Sequence, residues 1–318
     1  MSKNIFIRLP NWLGDICMSI PFLSELNKLN LKIFIFSPFW AKNILCSIFK
    51  FNFFIISGNL MDDVYSNLKY HSKYKSSLSL VFTNSLSSSI LLRFYKIHIH
   101  GWEDNIRFFL LKNNFKETPV FLHNVECFYY LGRLTLNSFK KSFTLKKKYL
   151  IIRDLNSNNC KFNFIKQINK NIFNRKPLIL ISPTSIGLHN NKYKVWPYFF
   201  QLIRIIQNNN IITVYSIPKN EIIIAKYRIP KAINIKYLKI KEFISFLDFI
   251  NLIICNDSGV SHMSSIVNSK QITLFGTTCS KRTKPWSLNA IYLGKKNKWP
   301  SLSYTMKISM RMIFSFYY

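Results

Sequence analysis

Short apolar runs rich in Phe, Ile and Leu alternate with amphipathic segments along most of the chain. NIFIRL (4–9) predicts a strand, residues 15–29 a helix, LKIFIFS (31–37) a strand and AKNILCSIF (41–49) a helix. SLSLVFT (77–83) predicts another strand, SSSILLRFY (87–95) a helix and KIHIHG (96–101) a short strand, while EDNIRFFLLKN (103–113) and NVECFYYLGRL (124–134) carry helical spacing. Such alternation is what a doubly wound parallel sheet produces, because parallel neighbours need a crossover, usually a helix.

From about 138 to 176 the periodicity weakens among Lys, Asn and Ser, and then the alternation restarts. PLILISP (177–183), IITVYSI (211–217), NLIICND (251–257) and QITLFGT (271–277) predict strands. WPYFFQLIRIIQN (196–208), KEFISFLDFI (241–250) and GVSHMSSIVNS (259–269) predict the helices between them. The pattern therefore predicts an α/β protein of two Rossmann-like domains, residues 1–160 and 177–318, joined by a linker at about 161–176. Their parallel sheets are expected to face across a cleft, with ligands at the carboxyl ends of the strands.

Charge adds a preference for anions: 45 Lys and Arg stand against 13 Asp and Glu, a net charge of +32. The basic residues are scattered, as in KYHSKYKSS and KKSFTLKKKYL, and drift towards Lys, Asn and Ile accounts for the excess equally well, so charge alone names no partner. The six cysteines (17, 46, 127, 160, 255, 279) form no CxxC pair, which points to reduced thiols in a cytoplasmic protein. Asp15 interrupts what would be the apolar part of a signal peptide, and Lys32, Pro38, Lys42 and Lys50 break the most apolar stretch, so membrane association is expected to be peripheral.

The polar residues that follow the strands carry the candidate chemistry. No G-x-G-x-x-G or Walker A loop is present. Asp15, after Gly14 in RLPNWLGDICMSIPF, falls at a helix start, where a carboxylate also serves as a plain cap. SPTSIGLHNNKYKVWP offers the hydroxyls of Thr184 and Ser185, a turn at Gly187, and Lys194 ahead of Trp196-Pro197; Lys192 could exchange roles with Lys194. A buried-looking strand ends in Asn256-Asp257-Ser258-Gly259, with His262 in the first turn of the next helix, an anion site built on helix amides. A simple Asp or Ser cap with a core-facing His262 fits that stretch as well. FGTTCSKRTKPW adds Gly276, Thr277, Thr278 and Arg282 to the same rim.

Four of these stretches, in this order, resemble the motifs of the ADP-heptose:lipopolysaccharide heptosyltransferase family: NWLGDICMSIPF, HGWEDNIRFFLLKN, KVWP and NDSGVSHMSSIVNSKQITLFG. The resemblance spans most of the chain and is nearest to the members that add the second inner-core heptose. It implies a GT-B fold and inverting transfer of heptose from ADP-L-glycero-D-manno-heptose to heptosyl-Kdo2-lipid A. No cofactor or metal is required in that family. Asp15 then matches the general base that deprotonates the acceptor hydroxyl, and Lys194 the cation that stabilises the leaving ADP. Thr184 and Ser185 match phosphate-binding hydroxyls, Glu221 an acid near the nucleoside sugar, and Asp257, Ser258, Gly259 and His262 the donor-binding helix start, with Lys192 and Gly276 beside them. Lys69, Lys73 and Arg107 are expected to bind the phosphorylated, lipid-linked acceptor, and the protein to act at the anionic inner face of the inner membrane.

The chain departs from the family pattern at FGTT, where a proline usually follows the glycine, and SLSYTMKISMRMIFSFYY (301–318) keeps little of the family's closing helix. A GT-B transferase with another nucleotide-sugar and a non-catalytic binder of anionic ligands stay open as alternatives. No RNA-binding signature is recognisable, so no specific nucleic-acid partner is expected.

Overall fold

Parallel strands buried on both faces read as continuous apolar runs, and in the computed structural model the predicted runs pair in that way. The structure describes residues 4–29, 31–67, 78–94, 98–103, 108–115, 121–137, 177–185, 188–189, 191–235 and 238–317. The chain divides into two units, Met1–Lys148 and Tyr149–Tyr318. The expected linker, 161–176, and the acceptor candidates Lys69, Lys73 and Arg107 lie outside the described residues, as does Gly187.

The first unit runs β1 (Asn4–Arg8), α1 (Leu13–Asn27), β2 (Lys32–Ser37), α2 (Phe39–Leu45), β3 (Asn52–Ile55), α3 (Leu60–Asn67), β4 (Leu78–Val81), α4 (Leu86–Phe94), β5 (His98–Trp102), β6 (Asn113–Phe115) and α5 (Asn124–Asn137). Its six-stranded parallel sheet has the order β3-β2-β1-β4-β5-β6. Phe6 and Phe34 stack at 4.7 Å between ring centroids, as do Phe36 and Phe54, so aromatic rings fill one face of the sheet. On α5, a Cβ at Gly132 would lie 2.1 Å from Cε2 of Phe22 on α1; the bare backbone lets the two helices approach closely. The helix expected over 103–113 does not form across its described part. Residues Phe108–Leu110 make a single 3-10 turn and Asn113 opens β6. The sheet takes this backbone: Glu103 N–H donates to the Phe115 carbonyl at 2.6 Å, and Lys112 N–H to the Ile99 carbonyl at 2.9 Å.

The second unit runs β7 (Leu178–Ser182), a hairpin of β8 (Leu188–His189) and β9 (Lys192–Tyr193), α6 (Phe199–Asn208), β10 (Ile212–Tyr215), α7 (Ile222–Arg228), β11 (Ile233–Asn234), α8 (Ile240–Leu247), β12 (Leu252–Asn256), α9 (Gly259–Ile266), β13 (Gln271–Leu274), α10 (Ser280–Thr283), β14 (Ala290–Leu293) and α11 (Leu302–Phe314). The sheet order, β11-β10-β7-β12-β13-β14, repeats that of the first unit, and it is the order of Rossmann folds. Helix α6 buries Phe199, Leu202, Ile203 and Ile206, the i, i+3, i+4, i+7 stripe that its sequence displays.

The closing segment does form a helix, contrary to the small likeness of its sequence to the family's. Residues Leu302, Met306, Met310 and Phe316 pack against the core, beside the buried Thr305, Ser309 and Ile313. Among the described residues no helix is long and apolar enough to cross a membrane.

Candidate active site

In a doubly wound sheet the crossovers leave the two central strands in opposite directions, opening a crevice at their carboxyl ends. In the second unit that switch point lies between β7 and β12. Thr184 and Ser185 follow β7, Asp257 and Ser258 follow β12, and Gly276 and Thr278 follow the adjacent β13.

Asp257 is the hub. Only 5% exposed, it accepts a hydrogen bond from Thr278 Oγ1 at 2.5 Å and a longer one from Thr283 Oγ1 at 3.5 Å. Lys194 Nζ stands 3.7 Å from its Oδ2, and His262 Nε2 3.7 Å from its Oδ1. Burial pushes the carboxyl up, but contact with His262, the Lys194 charge and the Thr278 hydroxyl together outweigh it and hold Asp257 below the ordinary carboxylate range. An ionised, nearly water-free carboxylate thus fixes a lysine and a histidine at the mouth of α9.

Ser258 caps α9 with extended backbone (φ −148°, ψ 176°), yet its side chain makes no capping bond, and its buried Oγ has no partner among the described residues. The plain Ser-cap reading therefore fails. The Gly259 and Val260 amides sit at the first two helical positions, where no intrahelical acceptor exists. Next to a lysine, such amides form a site for a phosphate or diphosphate. Thr184 is buried and Ser185 half-buried just after β7, so both hydroxyls belong to the carboxyl end of that strand. Among those residues, no three His, Cys, Asp or Glu side chains gather as metal ligands would.

Lys192 and Lys194 separate clearly. Lys192 lies exposed in the hairpin, in register with His189, while Lys194 joins the Asp257 cluster. Glu221 is buried at 9% exposure at the end of a 3-10 turn after β10, on the carboxyl edge of the sheet but outside the Asp257 cluster.

Two features that hold the cluster were not read from the sequence. Asn256, fully buried, accepts the Trp196 backbone N–H on Oδ1 at 2.9 Å, tying the KVWP loop to the end of β12. Trp196 Nε1 donates to the Pro300 carbonyl at 2.9 Å. Gly276 contributes by its missing side chain, since a Cβ there would lie 2.0 Å from Cδ2 of Trp299. Gly276→Ala is expected to cost about 1–3 kcal/mol through overpacking, seen as a lower melting temperature. The smaller ring of a Trp299→Phe partner should recover part of it, and an unshifted melting curve in Gly276→Ala would refute this packing role.

In the first unit the corresponding switch point lies between β1 and β4. Asp15 occupies the third position of α1, at the carboxyl end of β1, and its charge acts favourably at a helix start. The preceding loop is braced by Arg8, a buried residue not singled out in the sequence. Its guanidinium donates to Asn11 Oδ1 at 2.7 Å and to the Leu9 carbonyl. Burial lowers the Arg8 pKa to about 10 against the raising effect of Asp63.

These features define a class: an α/β protein with two Rossmann units, a helix start whose free amides and neighbouring lysine suit an anion, and a candidate base on the central strand's loop. The sequence profile of glycosyltransferase family 9 (heptosyltransferase) matches residues 72–311, and the chain belongs to that family. It is a glycosyltransferase with the GT-B fold. Asp15 lies upstream of the matched stretch, but longer alignments take in most of the chain. It is 27% identical over 304 residues to lipooligosaccharide heptosyltransferase 2 of Campylobacter jejuni, covering 89% of this chain and 83% of the relative. E. coli ADP-heptose lps heptosyltransferase II superposes with a TM-score of 0.75 at 18% identity, covering 100% of both chains. E. coli heptosyltransferase WaaC with ADP gives a TM-score of 0.74 at 12% identity, covering 97% of this chain and 99% of that one.

Proposed function

We propose that the protein transfers heptose from ADP-L-glycero-D-manno-heptose to heptosyl-Kdo2-lipid A, adding the second heptose of the lipopolysaccharide inner core with inversion and without a required metal. The observation that carries this reading is the Lys194–Asp257–His262 cluster at the amide-bearing start of α9. The names of the relatives support the choice of sugar and step, and WaaC is described both with ADP and with ADP-2-deoxy-2-fluoro heptose.

In this mechanism the α9 amides, Thr184 and Ser185 hold the diphosphate, Asp257 holds sugar hydroxyls, and Glu221 meets the ribose. Asp15 takes the proton of the acceptor hydroxyl as its oxygen bonds to the anomeric carbon. The bond from that carbon to the diphosphate oxygen breaks, and ADP leaves with the electron pair while Lys194 offsets its charge. Lys69, Lys73 and Arg107 bind the anionic acceptor, and the enzyme works peripherally at the cytoplasmic face of the inner membrane.

A transfer assay with ADP-heptose and a mono-heptosylated acceptor tests the reading. Product is expected with ADP-heptose and not with a UDP-linked sugar. The reverse preference would assign the chain to a different donor.

A further inference from the structure

The second unit carries an exposed apolar face that the transfer mechanism does not use. Leu188 and Tyr193 are cross-strand partners in the β8–β9 hairpin and are 55% and 77% exposed. Tyr193, Phe200 and Tyr227 line a pocket of about 480 Å³ whose base is formed by Trp196 and Phe199. Tyr227 is 81% exposed, and Ile223, one helical turn before it on α7, is 83% exposed. Residues four apart share a helix face. Hairpin, pocket rim and helix therefore form one continuous surface, of the kind that marks an interaction site on a soluble unit.

Cations surround it. Arg204 stands over the Phe200 ring at 5.8 Å, Arg228 lines the pocket, and Lys192 and Lys226 are exposed beside it. Across residues 177–235 the sole acid is Glu221, which is buried. A second copy of the same face would meet like charge with like, so its complement is anionic. Tyrosine and isoleucine on the rim, backed by Lys and Arg, match the interfacial layer of a bilayer, where apolar groups enter below the headgroups and cations stay among the phosphates.

We propose that this face of α7 and the β8–β9 hairpin docks the enzyme on an anionic lipid bilayer. The proposal rests on the reading of the acceptor as lipid-linked, and it supplies the surface through which the enzyme meets that lipid.

Flotation of the full chain with vesicles tests it. The wild type should float with phosphatidylcholine vesicles containing phosphatidylglycerol and stay behind with phosphatidylcholine alone. Ile223→Ser/Tyr227→Ser should lower the bound fraction by about tenfold or more, while transfer to a delipidated acceptor stays at the wild-type rate. Arg204→Gln/Lys226→Gln, confined to exposed side chains, should release vesicles at lower salt than the wild type. Equal flotation of wild type and the Ser variant would overturn the proposal, as would equal binding to neutral vesicles. So would an apolar face whose loss abolishes only RNA retention or only self-association. Flotation without any transfer by the wild type would leave the docking face standing and remove the enzymatic reading instead.

Discussion

Asp15→Asn is expected to lower heptosyl transfer by about 10²-fold or more while leaving the fold intact. Asn preserves the shape of the half-buried side chain at the start of α1, and the loss of the carboxylate's dipole interaction costs the helix about 0.3–1 kcal/mol. The loop before it stays braced by Arg8 and Asn11, so the backbone at residue 15 has no reason to move. What Asn cannot do is accept a proton from the attacking hydroxyl. Turnover in the transfer assay and a thermal melt separate the two roles: a variant that melts like the wild type and still turns over at its rate would remove Asp15 as the base.

Lys194→Ala is expected to lose transfer by about 10²-fold or more and to weaken ADP binding, because in the proposed mechanism the leaving diphosphate then lacks the Lys194 charge. The same substitution has a readout in stability. Asp257 has a folded pKa below its ordinary value of 3.8, so its contribution to stability is present above that value and is lost as the pH falls through the folded pKa. Lys194 is one of the groups that hold this carboxyl down. Removing it raises the folded pKa, and acid destabilisation should begin at higher pH in Lys194→Ala than in the wild type. Melting curves across the acidic range measure this, and coincident curves would show that Lys194 does not act on Asp257.

Much of this arrangement was legible in the residues. Central strands such as LILIS and LIICN are buried at every position, and α6 and α8 display helical stripes, so their types and order follow from periodicity. Edge elements were harder. The four residues of β3 extend an already apolar region, and β14, AIYL, is largely open to solvent, so neither shows a distinct period. Helix α11 was obscured for another reason: two of the positions it buries, Thr305 and Ser309, are polar and resemble surface in a hydrophobic pattern.

At the site, Lys194, Asp257 and His262 were visible because charged groups after apolar strands stand out. Asn256, Trp299 and Arg8 were not, since their roles depend on contacts across the fold: Asn256 and Trp196 are 60 residues apart, and Trp196 and Pro300 are 104 apart.

The bond from Trp196 to Pro300 and the seating of Trp299 on Gly276 make the loop that carries Lys194 depend on residues about 100 positions further along the chain. A premature stop codon just ahead of Trp299 would spare Lys194, Asp257 and His262 and still unseat their cluster. Nonsense and frameshift alleles that remove Trp299 and Pro300 should therefore behave as complete losses, although the residues encoded before them stay intact.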